Sequence, residues 1–231
     1  MIDILRDKKV IFFDVGYTLD KPASGDWMFT NKFLELAGEK LGQRTEKEIR
    51  QARGAGLRYL ARDHLILTVE AEIRNFFDYY TIVSGRLDLG LSEKEIEQIA
   101  RDRACNMNNY IPYPRIVEVL CTLSKTHRLG IISDTWPSIE PQLEHIGVSP
   151  YLSFCTFSCF VGVFKPDQRI YLDALNKCGV PAGETVFIDD GVRNLDGAAA
   201  LGITPILIAA NPESDVKTDY LKIRDLRELI R

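Results

Sequence analysis

The chain has 231 residues, 45% hydrophobic and 27% charged, enough apolar material for a full core and too much for a disordered chain. Formal net charge is -4, and Lys and Arg are scattered among Asp and Glu without a basic block, which argues against nucleic acid as a partner. The first apolar run breaks at Asp14, too soon for a signal-peptide core or a membrane span, so the expected location is cytoplasmic.

Lys9 to Phe13 reads KVIFF, a β-prone run without polar alternation, as in a strand buried on both faces of a parallel sheet. From Lys21 to about Asn108 no buried strand is predicted. Thr45 with Glu48 and Ser92 with Glu95 instead form capping boxes ahead of helically spaced apolar residues: Ile49, Ala52, Gly56 and Leu60, then Ile96, Ile99 and Ala100. Trp27, Phe29 and Phe33 are expected to begin the first helix of this all-helical insert. Beyond it, apolar runs at Arg128 to Ile132, Thr185 to Ile188 and Ile203 to Ile208 alternate with helices, one of which ends at a glycine cap, Gly147. The pattern predicts an α/β fold, a doubly wound parallel sheet with an inserted all-helical cap domain: residues 1–20 and 108–231 form the core and 21–107 the cap. Such an insert sits over the carboxyl edge of the sheet, where ligands of these folds bind.

Polar clusters fall at the predicted strand ends: Asp14-Val15-Gly16-Tyr17-Thr18-Leu19-Asp20, Ser133-Asp134-Thr135, and Asp189-Asp190 with Asn194; Lys165-Pro166 opens the helix before the third strand. Carboxylates gathered in this way repel one another, and a set that stays ionised needs a cation between them. Magnesium suits an oxygen-only site completed by water and a substrate phosphate, and Lys165 balances the remaining charge. The five cysteines (Cys105, Cys121, Cys155, Cys159 and Cys178) have no CxxC spacing, so neither a disulfide framework nor a zinc site is indicated.

In the same order, IFFDVGYTLD, GIISD, VGVFKPDQRIYLDAL and VFIDDGVRNLDGAAALGI resemble the four motifs of the haloacid dehalogenase superfamily, and the closing DYLKIRDLREL is similar to its last strand and helix. The insert resembles the helical cap of subfamily I. This resemblance implies a hydrolase in which Asp14 attacks phosphorus to form an aspartyl-phosphate, while Thr18 stabilises the turn behind it. Ser133 and Lys165, with Thr18 and Asp134, would make up the phosphate-binding set, and Lys165 would neutralise the charge that develops there. Asp14, Asp190, Asp189 and the carbonyl of Gly16 would hold Mg2+. Asp134, beside Ser133, would satisfy turn amides or partly replace a missing acid. The partner would be a small phosphorylated molecule; nothing in the sequence indicates oligomeric state.

The chain departs from the family's phosphatases at Gly16, where they carry a second aspartate that protonates the leaving group, a function typically contributing ~10²–10⁴-fold. Phosphonoacetaldehyde hydrolases and 2-haloacid dehalogenases also lack it. Dehalogenases need no metal and lack the acidic pair, whereas Asp189 and Asp190 are both present; a phosphonate hydrolase would need a cap lysine, for which Lys32, Lys40 and Lys47 are the candidates. A fold-retaining binding or regulatory protein of low turnover is the remaining alternative. Loss of the acid matters least when the leaving group is stable as an anion, so the expected substrates are aryl or acyl phosphates rather than sugar phosphates. Arg53, Arg58 and Arg62 read as a solvated helix face, His64, His127 and His145 as structural, and Trp27 as packing rather than a substrate wall.

Overall fold

A computed structural model of the chain describes residues 2–230. In chain order it contains β1 (Val10–Phe13), β2 (Asp20–Pro22), α1 (Asn31–Leu41), α2 (Glu46–Leu60), α3 (Val69–Leu87), α4 (Glu93–Cys105) and β3 (Tyr110–Pro112). There follow α5 (Ile116–Leu123), β4 (Arg128–Ser133), α6 (Ile139–His145), β5 (Leu152–Phe157), α7 (Ser158–Val161) and α8 (Gln168–Cys178). The chain closes with β6 (Thr185–Asp189), α9 (Val192–Ala199), β7 (Thr204–Ile208) and β8 (Leu221–Ile223).

Six strands make one parallel sheet in the order β5-β4-β1-β6-β7-β8, with β1 between β4 and β6. All four residues of β1 are buried, as its unbroken apolar run requires. Alternate side chains feed opposite faces: Ile11, Phe13, Leu129, Ile131, Val186 and Ile188 join one core cluster with α5 and α6. Val10, Phe12, Ile132 and Phe187 join the other with α8 and α9. The register sets Phe13 beside both Ile131 and Ile188. All three central strands therefore end at one level, which brings the polar clusters that follow them together at the carboxyl edge.

The helical segment leaves and rejoins the sheet through a two-stranded antiparallel ribbon in which Asp20 faces Pro112 and Pro22 faces Tyr110. Both predicted capping boxes are formed, at Thr45 with Glu48 and at Ser92 with Glu95. The first helix starts later than its aromatic residues suggest: Thr30 is the N-cap, accepting from the Phe33 amide, and Trp27 and Phe29 lie in the preceding loop. Asp167, not Lys165, caps α8, and Arg62 lies beyond the end of α2. The closing segment after β8 is a 3-10 helix, Leu226–Ile230. Unpredicted β5 is half-exposed along most of its length, so it shows no continuous apolar run. Among the described residues no helix is long and apolar enough to cross a membrane.

Helices α2 and α3 approach closely at Gly56, where an added Cβ would lie 2.6 Å from the Tyr79 ring. Tyr79 is fully buried and packs edge-on against Tyr80, so it has little room to retreat. Gly56→Ala is expected to destabilise the protein by about 1–3 kcal/mol through overpacking, checked by urea unfolding; an unchanged midpoint would show that the helices separate freely.

Candidate active site

Asp14 follows β1 directly, and its backbone N–H donates to Ile188 O at 2.9 Å, carrying the ladder one residue past the strand. Its Oδ1 accepts from Lys165 Nζ at 2.8 Å. The same ammonium donates to Asp189 Oδ2 at 2.7 Å and to Ile132 O at 3.3 Å. Lys165, with only 1% of its side chain exposed, is therefore a cross-link between the ends of three strands. Burial pulls its pKa down, but the carboxylates of Asp14, Asp189 and Asp134 outweigh that and hold it above the ordinary lysine value.

Asp189 is wholly buried, and both of its oxygens are engaged by the protein. Oδ1 accepts from Gly191 N at 2.7 Å and Asn194 Nδ2 at 3.0 Å, while Oδ2 is held by Lys165. Asp190 faces outward, with Oδ2 accepting from Ser214 Oγ at 2.9 Å. Oxygens of Asp14, Asp189 and Asp190 lie within 4.8 Å of one another, a set that could hold a metal ion. Burial, reinforced by the neighbouring carboxylates, pushes Asp14 up to about 8 and Asp190 up to about 6. Carboxyls so unwilling to ionise together are the chemistry that a divalent cation relieves, and the donor set fits one.

These residues floor a cavity of about 420 Å³, which falls within the size range of small-molecule sites. Asp14, Gly16, Ser133, Asp134, Lys165 and Asp190 line it; Thr18 and Asp189 do not. Thr18 is fully buried, and its backbone N–H donates to Val15 O at 3.1 Å, a place in the turn and not in the binding space. Asp134 Oδ1 accepts the Lys165 backbone N–H at 2.9 Å, so at least one of its oxygens is tied to the turn that presents Lys165.

The cap side of the cavity is built from residues that no sequence motif marks. Trp27 lies over Gly16, where an added Cβ would be 3.1 Å from its Cζ2. The ring is edge-on to Tyr17, with centroids 5.3 Å apart, and lines the cavity. The space an aspartate side chain would enter at position 16 is therefore bounded by an indole. Arg53 also lines the cavity but is paired with Asp26 at 2.7 Å. Arg103, buried in α4, lines it too. Lys32, Lys40 and Lys47 do not.

Helices and sheet meet through buried polar bonds beside the cavity. Glu72 accepts from Ser138 N at 2.8 Å and from Ser138 Oγ at 2.6 Å, just ahead of α6. Gln142 donates to Asp20 Oδ2 at 2.6 Å. His64 Nε2 lies 2.6 Å from Ser158 Oγ, which accepts from Thr135 N at 2.8 Å; burial lowers the imidazole to about 4.

Burial drives Asp20 and Glu72 up to about 7, against the hydrogen bonds of Gln142 and Ser138 respectively and the Arg103 charge. The folded protein thus holds two protons that the unfolded chain, titrating near 3.8 and 4.5, gives up. Their stabilising contribution is complete below the unfolded values and is lost as pH rises toward 7, at up to about 1.4 kcal/mol per pH unit per group. In chelator, the melting temperature is expected to fall by several degrees between about pH 5 and about pH 8, and less steeply in Glu72→Gln. A flat profile would mean that both groups are ionised in the folded state.

Residues 8–202 match the haloacid dehalogenase-like hydrolases. The chain belongs to this family. It is 26% identical over 169 residues to the GMP/IMP nucleotidase YrfG of Escherichia coli K12, covering 69% of this chain and 72% of that protein. Its fold matches a 2-haloacid dehalogenase from Pseudomonas syringae pv. tomato DC3000 with a TM-score of 0.63 at 22% identity, 96% of each chain being covered. It also matches the magnesium-bound HAD-hydrolase YfnB of Bacillus subtilis, with a TM-score of 0.65, 16% identity and 96% coverage of each chain. At those identities the structural matches speak to the fold alone. In this haloacid dehalogenase-like hydrolase Asp14, Ser133 and Asp189 stand at the ends of β1, β4 and β6, and Lys165 reaches them from the loop before α8.

Proposed function

We propose that this protein is a magnesium-dependent phosphohydrolase of small phosphorylated molecules and that Asp14 is its nucleophile. The observation that carries the reading is Lys165 Nζ bonded to both Asp14 and Asp189, with Asp190 beside them on the cavity floor. A cationic clamp on the nucleophile, next to an acidic set that needs a divalent ion, suits a group whose charge spreads over several oxygens.

In this reading Asp14, Asp190 and the Gly16 carbonyl hold Mg2+, with Asp189 behind them positioning Lys165. The ion supplies charge neutralisation for the phosphoryl oxygens. Ser133 donates to a phosphoryl oxygen and Lys165 keeps Asp14 oriented while balancing its charge. Asp14 oxygen forms a bond to phosphorus as the bond to the leaving oxygen breaks; water then attacks phosphorus, releasing inorganic phosphate and restoring Asp14. Position 16 has no side chain to deliver a proton, so the leaving group departs as an anion and is protonated by solvent. Aryl and acyl phosphates tolerate this; alkyl phosphates do not.

Phosphate release from p-nitrophenyl phosphate tests the proposal. It should require Mg2+, stop in chelator, and exceed release from a sugar phosphate by about 10²-fold or more in kcat/KM, the scale of the missing acid. Equal turnover of the sugar phosphate would contradict the leaving-group argument. Halide release from a 2-haloacid that persists in chelator would replace the reading with metal-free displacement.

A further inference from the structure

Most charged groups around the cavity have a counterpart within hydrogen-bonding distance. Lys165 has two carboxylates, Arg53 has Asp26, and Asp190 has the Ser214 hydroxyl. Arg103 differs. It is only 7% exposed, yet among the described residues no carboxylate oxygen lies within 4 Å of it. Its Nη1 donates to Tyr110 Oη at 2.6 Å, and its guanidinium lies 5.0 Å from the Phe76 ring centroid and 5.8 Å from that of Tyr110. Its Nε is buried with no hydrogen-bond partner. A buried guanidinium with an idle donor is costly to maintain unless something else in the cycle satisfies it.

Arg103 borders the same cavity as Asp14, Ser133 and Lys165, so a molecule seated on the floor shares its space with the guanidinium. The floor and the cap side therefore offer two separate attachment points to one molecule. With Nη1 spent on Tyr110, Nε and Nη2 are the donors left on the guanidinium, a planar pair that matches the two oxygens of a carboxylate. A single positive charge with no carboxylate in direct contact also suits a monoanion better than a second phosphate. Trp27, Tyr110, Trp136 and Met28 line the same cavity, apolar surfaces that accommodate a flat spacer.

We propose that Arg103 is the binding residue for a carboxylate carried by the substrate at the end away from its phosphoryl group, so that the natural substrate is a phosphorylated carboxylic acid with a flat, apolar spacer. This rests on the reading that the floor takes the phosphoryl group, and the test separates the two. The competing role is structural, Arg103 acting only as a diffuse counter-charge to Glu72 and Asp20, whose carboxyls it lowers.

Calorimetric binding of two non-hydrolysable probes, benzylphosphonate and 4-carboxybenzylphosphonate, to the full chain in Mg2+ decides the matter, with 4-methylbenzoate as the carboxylate alone. The carboxylated phosphonate should bind about 10–100-fold more tightly than the plain one, the usual scale of a charge-assisted pair. The ratio should fall to near one in Arg103→Met and stay intermediate in Arg103→Lys. Equal affinities in the wild type overturn the proposal whether or not the variants fold, as does a preference that survives in Arg103→Met. If benzylphosphonate binds and the carboxylate adds nothing, the anchor fails while the phosphoryl reading stands. If neither phosphonate binds but 4-methylbenzoate does, and loses affinity in Arg103→Met, the anchor stands and the phosphoryl reading fails.

Discussion

Asp14→Asn is expected to lower turnover of an aryl phosphate by at least about 10³-fold while raising the melting temperature in chelator by several degrees. The two effects have one cause. Asp14 is buried against Asp189 and Asp190, which with burial push its carboxyl up to about 8 despite the Lys165 charge. Folding therefore works against its ionised form, and an amide of the same shape removes that penalty along with the nucleophile. Lys165 keeps Asp189 as a partner at 2.7 Å, so no cation is stranded by the change. Steady-state kinetics and thermal denaturation on one preparation check both signs. Lower activity together with lower stability would mean that Asp14 serves the fold more than the chemistry.

Restoring the family's acid demands two changes. Gly16→Asp alone places a Cβ 3.1 Å from Trp27 Cζ2, so the indole must shift or the new carboxyl is misaimed. Trp27 is held edge-on by Tyr17 and stands 6.2 Å, centroid to centroid, from Tyr110, which limits that shift. The single variant is expected to gain less than about 10-fold on an alkyl phosphate, and Gly16→Asp with Trp27→Gly about 10²–10³-fold, within the usual range for general acid catalysis. The non-additivity is the diagnostic feature. A full gain from the single variant would show that the indole is no obstacle. Loss of aryl phosphate turnover in both would show that the reaction uses the space over Gly16.

Much of this arrangement is legible in the amino-acid sequence. KVIFF, RLGII and TVFI are strands without polar alternation because both faces of a parallel sheet are covered, and the residues that follow such strands gather at one edge. Capping boxes at Thr45 and Ser92 announce helix starts by a local hydrogen-bond pattern that needs no tertiary context. β5 escaped because a half-exposed edge strand has little apolar signal. Trp27 reads in the sequence as helix-start packing because a loop aromatic belongs to no period; the fold instead places it over Gly16, lining the cavity. Asp189 and Asp190 look alike in sequence, yet one is consumed by Lys165, Gly191 and Asn194 and the other faces the cavity. Arg103 did leave a trace. It continues the buried stripe of α4 set by Ile96, Ile99 and Ala100, and a charge on an apolar stripe is the pattern that marks a buried ion.

The most direct test of the phosphoenzyme is chemical. Borohydride added to the enzyme during turnover of an aryl phosphate with Mg2+ reduces an acyl phosphate to the alcohol, and peptide mass spectrometry then locates it. Homoserine should be found at position 14, and neither without substrate nor in chelator. Phosphate released at full rate with position 14 unmodified and another residue reduced would contradict Asp14 as the nucleophile.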